Sequence, residues 1–278
     1  IAMALKGFGY WALVARQMTQ PMAAAIIVWL QCPWRPSWPR KPARVGSLLK
    51  YAANTFGNYA INYLGRNLDK VLLGWRWGAQ ELGNYDRAYR LFVLPVGQMV
   101  TPLASVALAS LSRLKNDAAQ FRRYYLHSLS IIAFSGMLVS AVLTVAGQDI
   151  IILLLGPQWM KAGRVFTAFG PSIGITLIYG THSWLHLSLG TPDRWLRWSI
   201  FALVVTVAMF AACLGLGGLG IALAYALSYY LLTGPALRYA GRPIGIRMRD
   251  VWRQLWKYYV AALVSGFSTW LLLMKSGW

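Results

Sequence analysis

Between Arg197 and Arg238 the chain carries no Asp, Glu, Lys, Arg or His. Buried strands of a water-soluble domain run to about 4–8 residues between turn signals, far shorter than this. Two helices of about 20 apolar residues each would use the whole stretch and cross a bilayer twice. The pattern recurs along the sequence, and a mean hydropathy of +0.48 is too high for a soluble domain of this length. Eight helices are predicted, at roughly 10–31, 47–73, 84–107, 126–147, 165–190, 198–214, 217–237 and 256–275. The expected fold is an all-α membrane protein, a multi-helix transmembrane bundle of about eight spans.

The net charge of +20 raises the possibility of a nucleic-acid partner, which would require a solvated basic face. Here the basic residues cluster in the gaps between apolar runs, so no nucleic acid is expected and the charge reads as membrane topology. The gaps at 32–44, 110–125, 191–197 and 238–257 hold sixteen Lys and Arg, against five in the alternate set (Lys6, Arg76, Lys161, Arg164 and Lys275). The positive-inside rule puts the first set on the cytoplasmic side. Cys32 and Cys213 lie far apart in or beside apolar spans, with neither metal-ligand spacing nor a disulfide framework.

Two of the basic gaps have local character. In "CPWRPSWPRKPAR" (Cys32 to Arg44) the prolines fall at every third residue. That is the polyproline II repeat, so the gap is an extended and stiff strap. It is either a surface loop or a linker between helical bundles; composition does not separate the two. In "SLSRLKNDAAQFRRYY" (Ser110 to Tyr125), Leu111, Leu114, Ala118, Phe121 and Tyr125 share one helical face. The expectation is one amphipathic helix lying at the headgroup level.

The remaining six basic residues, Arg16, Lys50, Arg66, Lys70, Arg87 and Arg90, fall within or at the ends of predicted helices. On the helix near 47–73, polar residues recur every fourth position: Lys50, Asn54, Asn58, Asn62, Arg66 and Lys70. Residues four apart stand on neighbouring turns of one face, so these form a slowly winding polar stripe. A charge at mid-bilayer costs at least ~2.5–3.5 kcal/mol, and such residues usually face a bundle interior or a wet cavity. Lys50 and the residues near the far end can snorkel to the interface, but the asparagines cannot. The stripe is therefore expected to line a hydrated cavity. Asp69 stands close enough in sequence to partner Arg66, and Asp86 can pair with Arg90, four residues on. Arg16, Gln17 and Gln20 add to the same polar inventory. Bases outnumber acids, which suits an anionic headgroup such as pyrophosphate, bound through the planar Arg fork.

Other motifs carry little chemistry. His182 and His186 share a helix face, without a third ligand or the Glu of a zinc-protease helix, and read as packing or hydrogen-bonding residues. "GLGGLG" (Gly215 to Gly220) has no strand before it, so a tight turn between helices is expected rather than a nucleotide loop. A membrane-embedded transferase would want clustered acids or histidines; with seven acids, mostly separated, no catalytic site, metal or cofactor is expected.

"RNLDKVLLGWRWGAQELGNYDRAYRLFVLPVGQMVTPLASVALASLSRL" (Arg66 to Leu114) resembles the bacterial polysaccharide flippases of the O-antigen and exopolysaccharide type, within the multidrug/oligosaccharidyl-lipid/polysaccharide exporter superfamily. "LLLGPQWMKAG" (Leu153 to Gly163) and "GIALAYALSYYLL" (Gly220 to Leu232) fit the same family. The resemblance implies a two-bundle transporter of the bacterial inner membrane. Residues 1–31 would then end the first bundle, 32–46 form the cytoplasmic linker, 47–237 the second bundle, and 238–278 a basic loop and extra helix. It also implies a fragment, with the first several helices lying before Ile1. The implied activity is movement of sugar units on undecaprenyl pyrophosphate between leaflets, with the lipid-linked oligosaccharide, the bilayer and polysaccharide assembly proteins as partners. The alternative is a drug or small-molecule exporter of the same superfamily. Charge and helix face nominate Arg66, Lys70, Arg87, Arg90, Asn58 and Asn62 as substrate-binding, and Asp69 and Asp86 as charge-pairing or ion-coupling residues.

Overall fold

The computed structural model describes Gly7 and residues 11–33 and 45–276. These residues are helical throughout, joined by short turns, with no strand among them. The chain divides into two compact units, Ile1–Gly46 and Ser47–Trp278. In the first lies α1 (Trp11–Gln31), with Pro21 inside it. Most of the Pro-rich strap, residues 34–44, lies outside the described residues.

The second unit is built on a long helical element, α2 (Val45–Arg113), that reverses at one residue. Gly78 has φ 78° and ψ −177°, a conformation essentially closed to residues with a Cβ. Asp69 and Tyr85, 16 residues apart, are joined by a 2.6 Å hydrogen bond. A straight helix would set them about 24 Å apart, so the arms 45–77 and 79–113 form an antiparallel hairpin. The gap expected at 74–83 is thus helical except for Gly78. Both arms have enough i→i−4 bonding and apolar side chains to stay helical right up to the one glycine.

The expected amphipathic helix over 110–125 is not present as one element. α2 ends at Arg113 and α3 (Ala118–Leu155) starts afresh, because Asp117 is extended and its carboxylate accepts the N–H groups of Ala119 and Gln120, each at 3.0 Å. That is a strong N-cap. Of the expected apolar face, Leu111, Phe121 and Tyr125 are fully buried, Leu114 is half-buried and Ala118 is exposed, as are Arg113, Lys115, Arg122 and Arg123.

The helix expected at 165–190 is broken into α4 (Met160–Phe169), α5 (Ser172–Gly180) and α6 (His182–Ser188). Pro171 offers no N–H, and the Thr167 carbonyl accepts the Gly170 N–H instead at 3.0 Å. Carbonyls freed at the break find side-chain donors. Ser140 Oγ donates to Gly170 O at 2.7 Å and Tyr230 Oη to Pro171 O at 2.9 Å. A broken helix at membrane depth needs such partners, because lipid supplies none. α7 (Pro192–Cys213), α8 (Gly217–Gly241) and α9 (Met248–Ser276) complete the unit. "GLGGLG" is the α7–α8 turn: Gly217 has φ 67°, and a side chain on Gly220 would collide with the Cys213 carbonyl.

Helix directions follow from the cross-links. The first arm of α2 and α7 run parallel, since Ser199 Oγ donates to Asn58 Oδ1 at 3.1 Å and Trp77 Nε1 to Leu214 O at 2.8 Å. α3 and α9 are parallel too, with Phe134 against Tyr258 and Gly266 against Val145. Arg194 Nη2 reaches the Tyr239 carbonyl at 2.7 Å, tying the start of α7 to the end of α8. The basic segments around 113–123, 194–197 and 238–253 therefore gather at one end of the unit. The turns at Gly78, Gly156–Trp159 and Leu214–Gly217 gather at the other, where Trp77 meets Leu214 and Arg87 lies over Trp159. Leu48–Arg113, Ala118–Leu155 and Pro192–Ile244 are long and apolar enough to cross a membrane, by length and composition among the described residues.

Candidate functional site

The hairpin is closed near Gly78 and open away from it. At the closed end Tyr85 and Asp69 are buried, and the Asp69 carboxylate also accepts the Lys70 N–H at 2.7 Å. Asp86 holds two bases: Lys70 Nζ lies 3.2 Å from one oxygen and Arg90 Nε 2.6 Å from the other. Lys70 also sits 4.7 Å from the centre of the Tyr89 ring. Behind these charges is an aromatic cluster. Phe92 stacks on Phe169 at 4.8 Å, and Tyr225 meets both rings edge-on, at 5.6 and 5.4 Å. Phe92 and Phe169 are fully buried.

Toward the basic end the two arms separate. Between them lies a groove of about 560 Å³. Tyr59, Asn62, Tyr63 and Arg66 line it from the first arm, and Ser105 and Leu108 from the second. Tyr179, His182 and Leu187 of the broken helix, with Trp195 of α7 and Tyr229 of α8, complete it. Beside it a small chamber of about 60 Å³ is lined by Asn62, Arg66, Ser199, Thr206, Tyr225 and Tyr229. Neither lining contains a carboxylate. Asn58 is fully buried next to the chamber; its Oδ1 accepts from Asn62 Nδ2 at 2.6 Å and from Ser199 Oγ at 3.1 Å.

The nominated residues thus fall into three places. Arg66 and Asn62 line the groove and chamber, with Asn58 behind them. Lys70, Asp86, Arg90 and Asp69 sit together at the closed end. Arg87 stands apart, exposed, 5.4 Å over the Trp159 ring at the Gly78 end. The pairing expected between Asp69 and Arg66 is not made. The Tyr85 hydroxyl takes the Asp69 carboxylate, and among the described residues Arg66 has no carboxylate partner. The Asp86–Arg90 pair is formed as expected.

Sequence reasoning missed the walls supplied by the other helices, above all Tyr179, Tyr225, Tyr229 and His182. One signal was available: Tyr225 and Tyr229 stand four apart on one face of an otherwise apolar helix, and their hydroxyls lie 3.3 Å apart. His182 and His186 are buried, bonded through Nδ1 to the Tyr179 carbonyl (2.5 Å) and to Thr191 Oγ1 (3.1 Å). No group of three or more His, Cys, Asp or Glu is placed to hold a metal among the described residues.

The described residues thus form a helical bundle with a groove toward one end of the hairpin and an ion-paired, packed contact at the other. The chain belongs to the polysaccharide biosynthesis protein family, whose sequence model matches residues 1–164. It is 22% identical over 208 residues to teichuronic acid biosynthesis protein TuaB of Bacillus subtilis, covering 74% of this chain and 40% of that protein. It is 25% identical over 186 residues to amylovoran biosynthesis protein AmsL of Erwinia amylovora (64% and 46% covered). It is also 25% identical over 126 residues to lipopolysaccharide biosynthesis protein WzxC of Escherichia coli (45% and 26%). The chain therefore spans less than half the length of these curated relatives. Its fold is similar to that of lipid II flippase MurJ in an inward closed conformation, with a TM-score of 0.63 at 14% identity, over 86% of this chain and 56% of that one. The expected resemblance to bacterial polysaccharide proteins holds at the level of family, and the fold is similar to that of a flippase.

Proposed function

We propose that the protein moves a lipid-linked oligosaccharide, a polysaccharide repeat unit on undecaprenyl pyrophosphate, across the bacterial inner membrane by alternating access, as a transporter and not an enzyme. The observation that carries this reading is a groove lined by Arg66 and by no carboxylate. An arginine without an acidic partner, in a site walled by tyrosines and asparagine, is matched to a phosphate-bearing headgroup. A cationic drug, the substrate of the alternative exporter reading, would be repelled there. The proposal includes eight crossings, with the hairpin arms, the broken helix and α9 each counted once. It includes a cytoplasmic basic end, into which the groove opens. On this reading Arg66 and Asn62 meet the pyrophosphate, Asn58 holds Asn62, and Lys70, Arg87 and Arg90 act later along the path or as topological charges. Asp86 pairs with Lys70 and Arg90, bases that the substrate must pass, and Asp69, held by Tyr85, braces the hairpin behind them. Names of the family members, with the MurJ fold, favour this substrate class over others, and polysaccharide assembly proteins are the partners it implies.

The test is made with the gene in a bacterium lacking its own flippase, matched in sugar type. Surface polysaccharide is measured for the native protein and for Arg66→Ala with Lys70→Ala, at equal membrane abundance. Recovery by the native protein and loss in the double variant is expected. Recovery by both would return these charges to a topological role. Recovery by neither, with restored drug resistance in a sensitivity screen, would favour the exporter.

A further inference from the structure

A second cavity, sharing no lining residue with the groove, lies against α3 and α9 at the basic end. It has a volume of about 680 Å³, within the ~300–1,000 Å³ range of small-ligand sites. From α3 it is lined by Gln120, Arg123, Tyr124 and His127, and from α9 by Gln254. The α3 positions fall at i, i+3, i+4 and i+7, one continuous helix face. A face turned toward a neighbouring helix is ordinarily apolar. Further along the same pair, the contact is indeed apolar, with Phe134 against Tyr258 at 6.1 Å. At the basic end, beside the buried Phe121, Tyr125, Val251 and Leu255, the exposed Gln120, Arg123 and His127 make a polar and cationic rim. Arg123 has no acidic partner among the described residues. Of the two nearby carboxylates in sequence, Asp117 is committed to the α3 N-terminus and Asp250 lies on the first turn of α9, and neither lines the cavity. Arg113, Lys115, Arg122, Arg253 and Lys257 surround it in sequence.

The depth of the cavity identifies its occupant. Past His127, at the cavity's edge, α3 carries no Asp, Glu, Lys, Arg or His until Asp149, long enough to cross a bilayer. A cavity over the first turns of a membrane-crossing helix sits at headgroup level. We infer that the α3–α9 cleft binds the phosphodiester headgroup of an anionic glycerophospholipid, with Arg123 on the phosphate and Gln120, Gln254, Tyr124 and His127 as hydrogen-bonding partners for the phosphate and glycerol oxygens. Leu126, which also lines the cleft, meets the start of the acyl chains. Basic pockets between membrane helices recognise lipid headgroups by this chemistry. The site is separate from the transport groove and does not depend on what that groove carries.

The experiment is thermal unfolding of the purified protein in a neutral detergent, titrated with phosphatidylglycerol, with phosphatidylcholine, or with soluble glycerol phosphate. Phosphatidylglycerol is expected to raise the midpoint saturably, and the other two to leave it in place. Arg123→Gln should weaken half-saturation roughly fivefold, the worth of one charge near a membrane surface. Arg113→Gln, in the same basic segment but outside the cleft, should not. Arg123→Lys is the folding control and should retain most of the response, losing only the fork. An equal loss with Arg113→Gln would overturn the site in favour of diffuse surface attraction. An equal shift with glycerol phosphate would overturn the lipid as occupant. No shift with phosphatidylglycerol, or an unchanged response in Arg123→Gln, would overturn the proposal outright.

Discussion

The two ends of the α2 hairpin are made from the same kinds of residue and behave oppositely. Near Gly78 the arms touch, and the charges there have partners: Tyr85 on Asp69, and Lys70 and the exposed Arg90 on Asp86. Toward the basic end the arms part, and Arg66 faces a groove with no acid to meet it. Only a single helical turn separates Arg66 from Lys70. A basic residue on this helix is therefore a structural latch or an open binding group according to whether the opposite arm brings it a carboxylate. Helix face alone does not decide that; distance from the hinge does.

The largest expected contrast between the ends is chemical accessibility. With Cys32 and Cys213 changed to Ser, Ser105→Cys stands in the groove and Ala88→Cys in the packed closed half, where Ala88 has no exposure. A water-soluble thiol reagent should label position 105 readily and leave position 88 unlabelled until the protein is denatured. Equal labelling would remove the distinction between an open and a closed end.

Stability should divide the same way. Phe169 is fully buried among Phe92, Tyr85 and Tyr225. Lipid is as apolar as a protein core, so the transfer term of Phe169→Ala is small and the cavity term remains. At ~24 cal/mol per Å³ and about 100 Å³ removed, the cost is about 2–3 kcal/mol, read by thermal unfolding in detergent. Tyr63→Ala, exposed in the groove, should move stability by less than about 0.5 kcal/mol. A comparable loss at both sites would mean that the groove is part of the packed core. Two smaller effects test the hinge and its nearest bond. Gly78→Ala forces a Cβ into φ 78° and should cost about 1–3 kcal/mol. Tyr85→Phe strips the buried Asp69 carboxylate of its 2.6 Å donor, at about 1–3 kcal/mol. If neither changes the unfolding midpoint, the hairpin is not what holds the closed end.

The helices were legible in the sequence because membrane crossing demands long apolar runs, and the charge of the gaps announced which turns share an end. What escaped were decisions made by single residues. Gly78 sits among "GWRWGAQ", where a ten-residue loop was expected, yet one glycine in the right conformation suffices to turn the chain. Asp117 reads equally well as a polar residue on one amphipathic helix or as the cap of a new one; only its two 3.0 Å bonds to backbone N–H groups decide. Within the site, Arg66, Asn62 and Asn58 were visible through their four-residue spacing. The partner of Asp69 was not, since Tyr85 becomes its neighbour only through the reversal at Gly78. Tyr179, Tyr229 and His182 reach the groove from α5, α8 and α6, and no local spacing relates residues on separate helices.

The smallest effect sharpens the comparison most. The Lys70–Asp86 pair is about a quarter exposed at each side chain, and ion pairs of that exposure contribute about 0–1 kcal/mol. Asp86→Asn should therefore barely shift the unfolding midpoint, and a double-mutant cycle with Lys70→Gln should return a coupling below about 1 kcal/mol. A larger coupling would make the pair a structural element, on a level with the Asp69–Tyr85 bond. A small one leaves Lys70 free to change partners at little cost, one turn beyond Arg66. An anionic headgroup advancing from the groove would then find Lys70 held only by a weak pair, while the buried Tyr85–Asp69 bond and the aromatic cluster keep the arms together. Under that outcome, Asp86→Asn should leave stability intact yet alter surface polysaccharide in the complementation assay. The closed end would then consist of two layers, an exchangeable ionic one facing the groove and a packed one behind it.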